Sequence, residues 1–156
     1  MKFEKFVKSL GTSGTIYERK NGERWLASES CLMRVPYSVR SVTAWEIAEM
    51  PDEFETIISQ KGFKSEAFLV KAHMPIADGS TRDILREYES VKNGSTCIIT
   101  NADYSLIDRK KDIVEILAVY DLEEDENEVK ALLVKNVPVT PEEDYELVGV
   151  ILPINL

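Results

Sequence analysis

Apolar positions along this chain recur at two spacings. Phe3, Phe6, Val7 and Leu10 fall about one helical turn apart, with Lys2, Lys5 and Lys8 between them and Gly11 and Gly14 behind. A period near 3.6 closed by glycine predicts one amphipathic helix of two to three turns. Beyond it the pattern is mostly alternating or continuous, which predicts strands. Residues 15–20 and 23–27 flank Asn21-Gly22, a pair suited to the two positive-φ positions of a type I′ turn, so a hairpin is expected. Residues 31–35 read as a further strand ended by Pro36, and residues 37–45 as another short strand or an ordered loop. Met50-Pro51-Asp52 opens a predicted helix over 53–59. Asp52, Glu53 and Glu55 suit the positive end of its dipole, and Lys61-Gly62 stops it.

The second half is more apolar. Residues 66–77 predict a strand and Asp78-Gly79 a hairpin turn. In residues 81–91, Ile84, Leu85, Tyr88 and Val91 also fit a helical period, but the turn signals at Asp78-Gly79 and Asn93-Gly94 favour a strand. Residues 95–100 predict a strand and residues 101–108 a short helix or turn, followed by the cluster Arg109-Lys110-Lys111. The strongest apolar run, residues 113–122, is apolar on both alternations except at Glu115, as a central strand should be. Residues 129–136 and 145–154 read as further strands whose apolar runs, Val129 to Val134 and Leu147 to Leu152, are candidates to pair with it, Pro153 lying near the end where a missing donor matters least. These elements predict a single α+β domain over residues 1–156, a mostly antiparallel sheet with two or three short helices.

Composition narrows the class. The chain has 156 residues, 44% hydrophobic and 30% charged, enough for one core and unlike a disordered segment. It has no apolar run of the roughly 18 to 20 residues a membrane helix needs, and its N-terminus lacks the apolar stretch of a signal peptide; no membrane association and a cytoplasmic location are expected. The net charge of −9 is uneven. Residues 1–40 hold eight Lys/Arg against four Asp/Glu, residues 41–120 nine against fourteen, and residues 121–156 two against ten. That balance argues against general DNA coating but leaves room for one basic face on an acidic protein.

The chemistry of a catalytic or metal site is thin. His73 is the single histidine, and Cys31 and Cys97 stand far apart without ligand spacing, so two reduced, half-buried thiols are expected. No phosphate-cradling glycine motif or nucleophile elbow is present, and residues 123–128 lack the glycine of a calcium loop. The expectation is a non-enzyme with no catalytic residue, cofactor or metal, although carboxylates can still pair in space. Arg109, Lys110 and Lys111 read either as phosphate contacts or as a solvated turn, and so does the face made by Lys2, Lys5 and Lys8.

Residues 95–156 also carry a family pattern. Ile98-Ile99-Thr100-Asn101-Ala102-Asp103-Tyr104-Ser105-Leu106-Ile107, then residues 113–120 and 131–134, then the terminal Val150-Ile151-Leu152-Pro153-Ile154-Asn155-Leu156 resemble the C-terminal part of bacterial DNA polymerase III beta sliding clamps. In that family an Asn-x-x-Tyr helix leads into paired strands and a terminal Leu-Pro segment. Asn155 stands where the family has arginine, and residues 1–94 match only as a helix followed by strands. The resemblance implies a small clamp-like protein of phage, prophage or mobile-element type, non-catalytic and homo-oligomeric. It would contact DNA through Lys2, Lys5, Lys8, Arg109, Lys110 and Lys111. A replication protein's short hydrophobic motif would sit against Leu152, Pro153, Ile154 and Leu156. The alternative is a protein-interaction or inhibitory domain whose acidic residues, 123–128 and 142–144, dock on a basic partner.

Overall fold

The computed structural model describes residues 1–37, 39, 45–73, 84–138 and 140–154, with backbone only at Lys71 and His73. In chain order its elements are α1 (Phe3–Leu10), β1 (Thr15–Glu18), β2 (Arg24–Ala27), β3 (Cys31–Arg34), β4 (Glu46–Glu49), α2 (Asp52–Ile58), β5 (Phe63–His73), β6 (Leu85–Ser90), β7 (Thr96–Thr100), α3 (Asn101–Tyr104), β8 (Asp112–Asp121), β9 (Glu126–Asn136) and β10 (Glu146–Ile151). The strands join in the order β4-β1-β2-β3-β10-β9-β8-β5-β6-β7. Pairing is antiparallel except between β1 and β4. The α+β, sheet-dominated class expected from the pattern is what forms, with three short helices among the described residues.

Apolarity on both alternations has a direct consequence: the middle strands bury both faces. Leu132 and Val134 of β9 join Ile116, Leu26, Met33 and Phe6 in one core, beneath α1. Ala131 and Leu133 join Leu117, Trp25, Leu32 and Ile57 in the other, beneath α2. α1 and α2 therefore cover opposite faces. Tyr88 of β6 and Cys97 and Ile99 of β7 belong to the first core, so this end of the sheet curls over the α1 side. Beyond β10 the chain continues the closure, Leu152 N–H donating to Ser30 O at 2.8 Å and Ile154 N–H to Ile98 O at 2.8 Å.

Several local expectations need correction. The β1–β2 turn is not type I′. Arg19 N–H donates to Glu23 O and Gly22 N–H to Arg19 O, and of the two turn residues only Gly22 has positive φ, at 87°. This is a three-residue loop with a glycine bulge, which spares Asn21 the left-handed conformation and lets its Oδ1 accept from Glu23 N–H at 2.9 Å. β4 was not anticipated, because Glu46-Ile47-Ala48-Glu49 is short and largely exposed and its partner among the described residues, β1, is distant in sequence. β5 begins at Phe63, earlier than its apolar run. The run at 113–122 pairs with β9 but not with β10, which sits on the far side of β9. Cys31 and Cys97 are fully buried, not half-buried. Most of the stretch at 37–45, the Asp78-Gly79 turn, Asn155 and Leu156 lie outside the described residues.

Two glycines are required by close approach. Gly62 has φ 133°, and a Cβ there would meet Ala118 O at 2.8 Å and Val119 Cγ2 at 3.0 Å, so the α2–β5 turn lies directly on β8. A Cβ at Gly149 would overlap Met1 Sδ. The N-terminus is thus seated on β10, and its amino group forms an ion pair with Oδ2 of the buried Asp112 at 2.8 Å.

Candidate functional site

That ion pair sits beside the basic turn. Asp108 Oδ1 accepts from Lys110 N–H at 3.1 Å, Asp112 Oδ2 accepts from Asp108 N–H at 2.8 Å, and Val137 N–H donates to Lys111 O at 2.8 Å. The backbone of residues 108–112 is therefore held by a side chain on each flank and by the end of β9. Arg109, Lys110 and Lys111 point outward and are exposed.

α1 comes to the same place. Lys2 N–H donates to Leu106 O at 2.9 Å and Lys5 Nζ reaches Ser105 O at 3.5 Å. Phe6 is the helix's buried anchor, while Lys2, Lys5 and Lys8 are exposed. The helix is docked by its apolar side, so its lysines face water. The carboxyl of Asp108, between the two segments, is held below the usual aspartate range. The Lys110 N–H contributes most, followed by Lys111, the N-terminal amino group and Lys2. Two sequence-distant basic segments thus lie side by side. Among the described residues, Lys2, Lys5, Lys8, Arg109, Lys110 and Lys111 take part in no ion pair with a carboxylate.

The pair Asn101 and Tyr104 has a local structural use: Arg86 Nε donates to Asn101 Oδ1 at 3.0 Å and its guanidinium lies 4.4 Å from the Tyr104 ring centroid. This fastens α3 to β6. Asp103, on the other side of α3, is buried and accepts from Ser30 Oγ at 2.6 Å. Burial pushes its carboxyl pKa up, against the opposing effect of the Ser30 and Thr100 bonds. Burial likewise raises the Cys97 thiol to about 12 and the Cys31 thiol well above its ordinary value, which makes both poor nucleophiles. Among the described residues no group of three or more His, Cys, Asp or Glu is placed to hold a metal ion.

Leu152 and Pro153 line a cleft of about 500 Å³ between α2 and the β8–β9 ribbon. Ile57, Leu117, Val119 and Val129 supply its apolar wall, and Lys61, Lys130, Glu53 and Glu128 stand among its polar residues. Ile154 does not line it; its backbone is bonded to β7 instead. Leu156 lies outside the described residues. Sequence reading found Leu152 and Pro153 but not the α2 wall, although Ile57 and Ile58 already marked a helix with a face to bury.

The acidic residues behave differently from the basic ones. Residues 122–125 form the β8–β9 turn, and residues 142–144 follow the opposite end of β9. An eleven-residue strand separates them, about 35 Å at the usual rise.

Compared with protein-family models, with curated proteins and with solved structures, the chain matches none.

Proposed function

We propose that this chain is a non-catalytic, clamp-like module that associates with DNA through its α1 side and holds a short hydrophobic peptide of a replication partner in the cleft beside α2. The observation that carries the reading is the convergence of Lys2 and Lys5 with the Arg109–Lys111 turn, tied by the Lys5–Ser105 and Lys2–Leu106 bonds. Cations gathered on one face attract a phosphate backbone even when the whole chain is acidic. α2 is excluded from such a role by its own charges, Asp52, Glu53 and Glu55. The order of elements supports the clamp-like part: each of the three helices opens a run of at least three strands. The cleft lined by Leu152 and Pro153 has apolar walls and charged residues, a setting suited to an apolar peptide with polar flanks.

Fluorescence anisotropy with a labelled duplex at low salt tests the DNA half. The wild type should bind, and Lys110→Glu with Lys111→Glu should weaken binding at least about tenfold and lower the salt slope by about two units. Absence of wild-type binding at low salt removes the reading. The alternative, an acidic surface docking on a basic partner, has the β8–β9 turn in its favour, but a partner engaging residues 142–144 as well would have to reach along the whole of β9.

A further inference from the structure

A second cleft opens at the basic turn. Pairing between β5 and β8 covers Phe63 to Glu66 against Ala118 to Glu115. β5 then continues along β6, and β8 continues to Asp112 along β9. The two strands part, and between them lies an apolar cleft of about 300 Å³ walled by Phe68, Leu69, Tyr104 and Ile113, with Arg109 at its rim. Phe68 is 49% exposed and Leu69 38%. Of the two carboxylates lining the cleft, Asp112 is already paired with the N-terminal amino group and Glu66 remains.

The other end of β8 carries the complementary chemistry. β5 accompanies β8 no further than Ala118, and β10 accompanies β9 no further than Leu132. From Val119 to Glu128 the hairpin is therefore a two-stranded arm. Leu122 at its tip is 86% exposed and Tyr120 half-exposed. Asp121, Glu123, Glu124, Asp125, Glu126 and Glu128 surround them, with no Lys or Arg between 119 and 128.

We propose that the β5–β8 cleft receives the β8–β9 arm of a second copy of this chain, Leu122 entering the apolar cleft and the arm's carboxylates meeting Arg109, Lys110 and Lys111. An apolar anchor ringed by complementary charge is the usual composition of a specific contact. Cleft and arm lie at opposite ends of one ten-residue strand, about 33 Å apart, so the arm cannot fill its own cleft. The contact is head-to-tail, and repetition builds a ring or an open chain of subunits. Because the contact uses the same three cations as the proposed DNA face, arm and phosphate backbone compete for them, yet the contact does not depend on DNA being bound.

Sedimentation equilibrium of the full chain tests this, from about 10 μM to about 1 mM protein in about 20 mM salt. The weight-average mass should rise above the 17.7 kDa of one chain and fall back to it in about 0.5 M salt. An arm-reversed variant (Glu123→Lys, Glu124→Lys, Glu126→Lys, Glu128→Lys) and a patch-reversed variant (Arg109→Glu, Lys110→Glu, Lys111→Glu) should each associate at least about tenfold more weakly. Mixed together they should associate again, because each arm then meets a patch of opposite sign. Leu122→Ser should weaken association with no change in charge. Thermal melts matching wild type establish that each variant is folded. A wild type that stays monomeric throughout, or a mixture of the two reversed variants that does not associate, overturns the proposal. Duplex anisotropy on Leu122→Ser, whose patch and charges are unchanged, reports on DNA binding separately.

Discussion

The two ends of β8 are a natural experiment in how charge becomes a surface. At its start, Arg109, Lys110 and Lys111 sit on a turn braced by Asp108 and Asp112, by the amino terminus and by the end of β9, and α1 brings Lys2 and Lys5 alongside. At its other end, the acidic tip of the arm is local: Glu123 N–H bonds Asp121 Oδ1 at 2.9 Å, and Tyr120 bonds Asp125, all within one hairpin. One cluster is assembled by tertiary contacts, and the other would exist in the hairpin alone. Substitutions of the groups that brace the first end should therefore carry a stability cost that substitutions at the exposed tip of the second do not.

The largest effect belongs to that ion pair. Asp112→Ala removes a buried carboxylate that holds both the amino group and Asp108 N–H, and it should lower unfolding stability by about 3 kcal/mol in urea titration. A loss under about 1 kcal/mol would mean that the basic turn is not anchored there. Gly62→Ala comes next. It strains a left-handed residue and pushes a methyl onto Ala118 O at the base of the arm, and about 2 kcal/mol should be lost. An unchanged denaturation midpoint would show that the α2–β5 turn relaxes without cost.

Smaller effects come from two aspartates five residues apart whose titrations have opposite sign. Asp103 has its folded pKa raised by burial, so the folded state binds its proton more readily. Stability from this group falls as pH rises from the ordinary aspartate value of about 3.9 through the folded value. Asp108 has its folded pKa lowered. Its contribution is present above about 3.9 and is lost as pH falls through the folded value. Asp103→Asn should flatten the decline on the upper side of that window, and Asp108→Asn the acid loss below it. Equal slopes for wild type and Asp103→Asn would show that burial does not govern this group. The smallest expected change is Leu122→Ser at the tip, within about 0.5 kcal/mol of wild type in the same titration; a larger loss would mean that the tip packs on the fold.

Much of the fold was legible because hydrophobic period is a local signal. α1, β3, β7, β8 and β9 stand close to where their spacing put them, and within the ambiguous stretch at 81–91 the described Leu85–Ser90 forms the strand β6. Most of what failed shares one physical reason, dependence on a partner far along the chain. β4 exists because β1 pairs with it in parallel, and its own four residues carry no strand pattern. The α2 wall of the larger cleft and the Phe68, Leu69 and Tyr104 walls of the smaller one are set by how the sheet curls. The turn type at Asn21-Gly22 is a subtler miss, since a glycine bulge satisfies the same hairpin while asking for only one positive φ.

Sequence by itself determined the class of fold, the two-faced burial of the middle of β8 but not the exposure of Val119, Tyr120 and Leu122 at its end, the amphipathic α1 and the charge of each segment, because periodicity and composition act over a few residues. Tertiary structure alone decided which charges share a surface. It joined Lys2 and Lys5 to the turn at 109–111 through the seating of the amino terminus on Asp112 and Gly149, and it separated residues 123–128 from 142–144 by the length of β9. Electrostatic attraction depends on distance in space, and that distance is fixed by packing between residues more than a hundred positions apart.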